Sequence, residues 1–283
     1  MTKKTISLGI TSRCDYQSAL EIVKNILLHL SHGLDNIKIL TIIDNRTAEK
    51  IGKLYNAISS PIDKMQIDLM ISVGGDGTIL RAIQKMEIPK PILGINMGTI
   101  GFLADVDPID ALEVINKMLI DCSNNTLEVE ERIRLKANNM PPATNEIVIS
   151  TGTPAKMSHF KIYVDDCELE EFRADGVIFA TPTGSTAYAM SAGGPIVDPR
   201  VNATVMVPLA PFKLSARPWV IPAKSEIKVQ LLSKKGGLIV IDGQYTKTIH
   251  GSDSIVIKMA EHPAIFVKTK KTGFYEKFRY KLE

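Results

Sequence analysis

Three stretches of the sequence place side chains and backbone where they could do chemistry. The first, Gly74-Gly75-Asp76-Gly77-Thr78, sets three glycines around one carboxylate. Glycines allow close approach and unusual torsions, and backbone amides exposed where a helix begins suit phosphate oxygens. The stretch is neither Gly-x-Gly-x-x-Gly nor a P-loop, which requires Gly-Lys-Ser/Thr. A bare Asp76 among phosphates would be repelled unless it binds a metal or accepts a proton. The plainer alternative is a tight turn capped by the carboxylate. The second stretch joins Asp175-Gly176 to Thr181-Pro182-Thr183-Gly184-Ser185-Thr186-Ala187-Tyr188. Five hydroxyl side chains fall in eight positions, on a loop stiffened by Pro182 and ending in a helix-like run. They could hydrogen-bond a base, a ribose or phosphates, whereas helix capping accounts for one or two of them. Gly184-Ser185-Thr186 is not the Gly-x-Ser-x-Gly elbow of a serine hydrolase. The third stretch, Asn145-Glu146, pairs an amide with a carboxylate that could read an adenine edge and ribose hydroxyls, or simply end a strand.

Other reactive residue types carry less. The five histidines have no metal-ligand spacing, Lys268, Lys270 and Lys271 read as a solvated face, and Trp219 reads as core or interface packing.

The elements that must position these residues are legible from periodicity. Ile6–Ile10, Ile37–Ile43, Leu69–Val73 and Pro91–Ile95 read as buried strands. Between them, Ala19, Ile22, Val23, Ile26, Leu27 and Leu30 recur at helical spacing with Gly33 as a stop, and Ala48–Ile58 and a run from Ile79 also read as helical. Asp107-Pro108 opens a further helix over Ile109–Met118. Such alternation predicts a parallel sheet covered by helices, with ligands at the carboxyl ends of its strands. After about residue 125 the texture changes to short β-rich runs, from Leu127–Leu135 to Ser254–Ile257, separated by turns such as Asp165-Asp166 and Gly236-Gly237. These predict a second, mostly antiparallel domain, and Phe274–Leu282 predicts a short helix that packs back on the first. The expected division is 1–106 for the α/β domain, 107–269 for the β-rich domain, and 270–283 for the returning helix.

Composition sets outer bounds. At 283 residues two domains are expected, and 45% hydrophobic content suffices for real cores. Lys and Arg number 34 against 31 acidic residues, a net charge of +3. That balance gives no electrostatic case for nucleic acid as a partner. Cys14, Cys122 and Cys167 are odd in number and widely spaced, which points away from disulfides or zinc and toward a reducing cytosol. No apolar run approaches the roughly 18 residues that span a bilayer, and the N-terminal apolar stretch is too short for a signal peptide.

With these motifs in hand, the sequence resembles the NAD kinase family. The matching residues are Gly74–Thr78, Gly94-Ile95-Asn96-Met97-Gly98-Thr99-Ile100-Gly101-Phe102-Leu103, Asn145-Glu146, and Asp175-Gly176 through Gly193-Gly194-Pro195, in the family's order and near its spacing. The first motif is shared with lipid kinases and phosphofructokinases; the Thr181–Pro195 segment is specific in combination with it. The resemblance implies a Rossmann-like, phosphofructokinase-like N-terminal domain, a β-rich C-terminal domain, and a site between them. It implies phosphorylation of the 2′-hydroxyl of the adenosine ribose of NAD to give NADP, with ATP or polyphosphate as donor and a divalent cation, Mg²⁺. By the same resemblance Asp76 is the general base, and Gly74, Gly75, Gly77 and Thr78 contact phosphates of the donor or of NAD. Phe102 packs on the adenine side; Asn145, Thr183, Thr186 and Ala187 recognise adenine; Glu146 takes a ribose hydroxyl. Asp175 meets the nicotinamide end, Tyr188 lies against ribose or phosphates, and Asp242 is a further site carboxylate. No protein ligand to the metal is assigned. Homodimers or homotetramers are implied, with no nucleic-acid or membrane partner. Met97 and Ala174 depart mildly from the family's commonest residues, and no fused phosphatase domain is expected.

Competing readings are a lipid or other small-molecule kinase, which would need an apolar acceptor pocket, and a non-catalytic NAD sensor, which would gain nothing from a bare Asp76.

Overall fold

The computed structural model describes residues 4–34, 37–98, 101–153, 156–232, 236–251, 253–269 and 273–282. The chain divides into two compact units, Met1–Glu131 with Ala264–Glu283, and Arg132–Pro263. Thr99 and Ile100 of the second glycine-bearing loop, and Lys270 and Lys271, lie outside the described residues.

The first unit alternates strand and helix: β1 (Lys4–Ser12), α1 (Gln17–Ser31), β2 (Ile37–Asp44), α2 (Asn45–Ile51), β3 (Ile58–Ser60), β4 (Leu69–Gly74), α3 (Asp76–Lys85), β5 (Ile92–Asn96), α4 (Ala111–Asn124) and β6 (Val129–Arg132). The second unit carries β7 (Leu135–Ala137), β8 (Glu146–Thr151), β9 (Ser158–Val164), β10 (Cys167–Ala174), β11 (Gly176–Ala180), α5 (Tyr188–Ser191), β12 (Ala203–Leu209), β13 (Trp219–Pro222), β14 (Ile227–Leu231), β15 (Gly237–Ile241), β16 (Tyr245–Ile249) and β17 (Ser254–Met259). The chain then returns to the first unit as β18 (Ala264–Val267) and α6 (Phe274–Leu282).

Strand order in the first unit is β3-β2-β1-β4-β5-β18-β6, with β1, β2, β3, β4, β5 and β18 paired in parallel. Every residue of β4 is buried, as a central parallel strand covered on both faces requires. The helix α1 turns Ala19, Leu20, Val23, Ile26, Leu27 and Leu30 inward, and Gly33 at φ +75° follows its end. Each large aliphatic so buried stabilises by roughly 1.5–3 kcal/mol. The second unit stacks two antiparallel sheets, β10-β9-β14-β17-β7 and β13-β12-β11-β8-β15-β16. Phe160, Phe172, Phe179, Ile149 and Ile239 are among the residues of the core that these sheets share. No described helix is long and apolar enough to cross a membrane.

The structure redraws several boundaries. The division expected at residue 106 falls at 131, because Ala111, Ile115, Met118 and Leu119 of α4 pack into the same core as Leu8, Ile10, Val23 and Ile26. The β-rich run Leu127–Leu135 is shared between two strands: β6 joins the parallel sheet and β7 an antiparallel one. Likewise β18 lies beside β5, with Phe266 opposite Ile92. Local periodicity marks a strand but cannot name its sheet. Trp219 is outside the core, 41% exposed, its indole N–H donating to Glu170 Oε2 at 3.0 Å. The helix α6 does pack within the first unit: Phe274 and Phe278 lie 6.4 and 6.3 Å from the Phe102 ring, and buried Lys277 pairs with Asp105.

Candidate functional site

The apolar strand β4 ends at Gly74 and α3 begins at Asp76, so the first motif is a strand-to-helix turn at the carboxyl end of a central strand. The amides of Asp76 and Gly77 precede the helix's own hydrogen bonding, which starts with the Thr78 N–H to the Gly75 carbonyl at 2.9 Å. Such amides favour an anion. Neither Gly75 nor Gly77 has any atom within 4 Å of where a Cβ would stand, and neither has a positive φ. The chain's own packing therefore does not demand glycine at 75 or 77; close approach by a ligand would.

Asp76 is half-buried and accepts three successive amides: Phe102 N–H on Oδ2 at 2.8 Å, then Leu103 and Ala104 N–H on Oδ1 at 3.0 and 3.2 Å. Glycine is required at 101, because a Cβ there would run into the Asp76 carboxylate. A carboxylate offers about four lone-pair sites, so one remains, on Oδ2. Thr78 is buried, its side chain lying under Gly74, and Phe102 is half-buried against the rings of α6.

In the second unit, Asn145 immediately precedes β8 and Glu146 opens it, beside Asp242, which directly follows β15. Asp242 is 6% exposed, has a left-handed backbone at φ +50°, and likewise accepts three successive amides. Thr144 N–H reaches Oδ2 at 2.7 Å, and Asn145 and Glu146 N–H reach Oδ1 at 2.8 and 3.0 Å. Burial pushes the Asp242 carboxyl up to about 6, against the pull of the three amides and of Arg134. Burial first, and then the charge of Asp242, push the Glu146 carboxyl up to about 7; the Tyr188 amide works the other way. Glu146 Oε2 and Thr144 Oγ1 are buried with no hydrogen-bond partner. Asp242 is thus spent on holding the 144–146 backbone, whereas Glu146 retains an acceptor for a ligand.

The hydroxyl-rich loop is more inward-facing than the sequence suggests. Thr181 Oγ1 donates to the Thr144 carbonyl at 2.6 Å and accepts the Gly184 amide at 3.1 Å. Ser185 Oγ donates to the Pro182 carbonyl at 2.7 Å and accepts the Val197 amide at 2.9 Å. Thr186 Oγ1 donates to the Thr183 carbonyl at 3.2 Å. Three of the five hydroxyls therefore fold the loop, which turns through the short 3-10 helix 183–186 into α5. A Cβ at Gly184 would collide with the Asn145 backbone, so this loop and the Asn145–Glu146 strand end are in direct contact. Ala187 is half-buried, Tyr188 is 48% exposed, and Asp175 is exposed at the start of β11.

The structure brings Asn145, Glu146, Thr183, Thr186, Ala187, Tyr188 and Asp242 into one cluster, Asp242 the most deeply buried of its carboxylates, whereas Asp175 lies at the opposite end of β11 and Gly77 and Phe102 belong to the first unit. The sequence reading misses Arg134, fully buried in the same unit as the cluster, whose only signal is a charge set between Ile133 and Leu135. It also misses the amides of residues 102–104, which no side-chain motif reveals. Among the described residues no three His, Cys, Asp or Glu side chains gather closely enough to hold a metal ion.

Comparison with known proteins bears on this arrangement. The sequence models of the ATP-NAD kinase N-terminal and C-terminal domains match residues 37–121 and 144–269. A protein of Methanosarcina mazei named NAD kinase is 50% identical, the match covering 97% of this chain and 93% of that one. Among solved structures, yeast NADH kinase complexed with NADH superposes with a TM-score of 0.88 at 26% identity, covering 99% of this chain and 88% of that chain. An NAD kinase from Archaeoglobus fulgidus in complex with ATP superposes with a TM-score of 0.76 at 32% identity, covering 97% and 96%.

Proposed function

This chain belongs to the NAD kinase family, and on that premise we propose that it phosphorylates the 2′-hydroxyl of the adenosine ribose of NAD, giving NADP, with ATP or polyphosphate as donor. The observation that supports this most is the half-buried Asp76 carboxylate, fixed by three amides with one Oδ2 lone pair to spare, at a turn whose glycines leave room for phosphates. In-line phosphoryl transfer depends chiefly on positioning and on meeting spread negative charge. Asp76 Oδ2 accepts the 2′-hydroxyl, aims its oxygen at the donor's terminal phosphorus, and takes its proton as the new bond to phosphorus forms and the phosphorus–oxygen bond to the departing ADP, or to the shortened polyphosphate, breaks. Gly75 and Gly77 offer amides to phosphate oxygens where α3 begins, and Gly74 and Thr78 shape the same turn, the Thr78 amide itself going to the Gly75 carbonyl.

In the second unit, Glu146 accepts a ribose hydroxyl on Oε2, and Asn145, Thr183, Thr186 and Ala187 read adenine. For Thr186 this uses the oxygen lone pairs, since its proton goes to the Thr183 carbonyl. Phe102 gives adenine an apolar wall, Tyr188 lies against ribose or phosphates, and Asp175 takes the nicotinamide end. Asp242 positions Asn145 and Glu146. A divalent cation, Mg²⁺, delivered with the donor would meet part of the negative charge that spreads during transfer. Three unpaired cysteines support a cytosolic setting, and a homodimer or homotetramer is the proposed assembly.

The test incubates purified protein with NAD, Mg²⁺ and each donor in turn, then couples product to an NADP-specific dehydrogenase. NADP formation with ATP is the expected result. Measurable NAD binding with no NADP from any donor would establish a sensor instead.

A further inference from the structure

The amides that grip Asp76 come from residues 102–104, an irregular stretch between β5 and α4 that belongs to no helix or strand. Backbone of that kind keeps one shape only where its neighbours enforce it. The exit of the stretch is tied to β5: the Asp105 and Val106 amides donate to the Gly94 carbonyl at 3.2 and 3.1 Å, and the Asn96 amide donates to the Val106 carbonyl at 2.8 Å. Gly94 permits this, since a Cβ there would come within 2.9 Å of the Ala104 Cα. Leu103 and Ala104 are buried in one core with Ile79, Ile83 and Phe266. Phe102 and Asp105, on either side of them, are met by α6.

Phe274, Lys277 and Phe278 stand at i, i+3 and i+4 and therefore share one face of α6. The Phe102 ring lies 6.4 Å from that of Phe274 and 6.3 Å from that of Phe278, and the Lys277 ammonium pairs with the Asp105 carboxylate. Lys277 is only 9% exposed. An ammonium so far out of water is costly unless an anion answers it, so the pair ties α6 to this point of the loop. The start of α6 is fixed in its turn, the Glu276 carboxylate accepting the Gly273 amide at 3.2 Å. All of these groups lie in the first unit.

We propose that α6 is the outer half of the Asp76 holder and that Lys277 is a positioning residue for that carboxylate. By pairing with Asp105, beside the aromatic contact at Phe102, Lys277 keeps residues 102–104 in the shape in which their amides hold Asp76. It meets neither NAD nor the donor in this scheme and acts only through the loop. The aim of the base is then set by a residue 172 positions further along the chain than the one it pairs with. The proposal rests on the reading of Asp76 as general base.

Lys277→Met keeps the length of the side chain and removes its charge, and two readouts follow it. In ligand-free protein, amide hydrogen exchange at residues 102–104 becomes about ten-fold faster or more, while the Ile71 and Val73 amides of β4 stay within about two-fold of wild type. At saturating NAD and ATP, turnover falls about ten-fold or more in the otherwise wild-type chain but by less than about two-fold in the Asp76→Asn background, because misaiming the base costs nothing once the base is gone. Asp105→Asn removes the same charge pair from the other side and carries both readouts if Lys277→Met does not fold. Exchange that speeds up equally at 102–104 and in β4, unchanged exchange at 102–104, or turnover changes of equal size in the two backgrounds would each overturn the proposal. A wild type that makes no NADP would sink the kinase reading instead, and the exchange rates would still decide whether α6 holds the loop.

Discussion

Asp76 and Asp242 are held by one device in two settings. Each accepts three successive backbone amides, the first on Oδ2 and the next two on Oδ1, at 2.8, 3.0 and 3.2 Å for Asp76 and 2.7, 2.8 and 3.0 Å for Asp242. Asp242 is shut in and left-handed in backbone. Its oxygens serve the fold, and the free acceptor is passed to the neighbouring Glu146. Asp76 is half-buried at the first turn of a helix, beside glycines that the chain's own packing does not need. The same grip makes a scaffold where it is buried and leaves a working oxygen where it is open. Environment decides the role, since residue type and hydrogen-bond pattern are shared.

The comparison breaks most directly on stability. Asp242→Ala leaves the amides of Thr144, Asn145 and Glu146 without their acceptor in a buried setting, and should cost about 3–5 kcal/mol in urea unfolding. Asp76→Ala leaves amides that water can reach, and should cost about 1–3 kcal/mol. Equal costs would erase the distinction between scaffold and site.

A pH series sharpens it next. Glu146 is pushed up to about 7 in the folded chain, so between its ordinary range and pH 7 the folded state binds the extra proton. Stability from this group is therefore fully present below about pH 4.5 and lost as pH rises through about 7. Glu146→Gln should remove that loss, gaining up to ~3 kcal/mol relative to wild type at pH 8 compared with pH 4. The check is urea midpoints across that range; a constant difference between the two proteins would contradict it.

The smallest effect concerns the hydroxyl loop. Ser185→Ala removes a hydroxyl that bonds only to the chain itself, so it should lower stability by about 1 kcal/mol and leave the KM for NAD within about two-fold. A large rise in that KM, with stability intact, would return Ser185 to the ligand face.

How far the sequence carried the reader depends on what kind of group does the work. Strands such as Leu69–Gly74 are legible because a strand buried on both faces is continuously apolar, and α1 because its apolar residues recur at helical spacing. The Gly74–Thr78 turn is legible because glycine and a lone carboxylate at a strand end are rare together. The sheets to which β6 and β18 belong are not, since pairing is settled by tertiary contacts. Nor are the partners of Asp76 and Asp242, which are main-chain amides and leave no trace in residue type. The hydroxyl loop is hard to read for a related reason: Thr181 and Ser185 look like ligand contacts, but in a tight turn a hydroxyl satisfies backbone first.

The central claim is that the spare lone pair of Asp76 receives the 2′-hydroxyl of NAD during transfer, and Asp76→Asn at saturating NAD and ATP tests it. With the dissociation constant for NAD measured by calorimetry alongside turnover, the account predicts a fall in NADP formation of about 10²–10⁴-fold with NAD affinity largely kept. Undiminished turnover in the folded variant would contradict it.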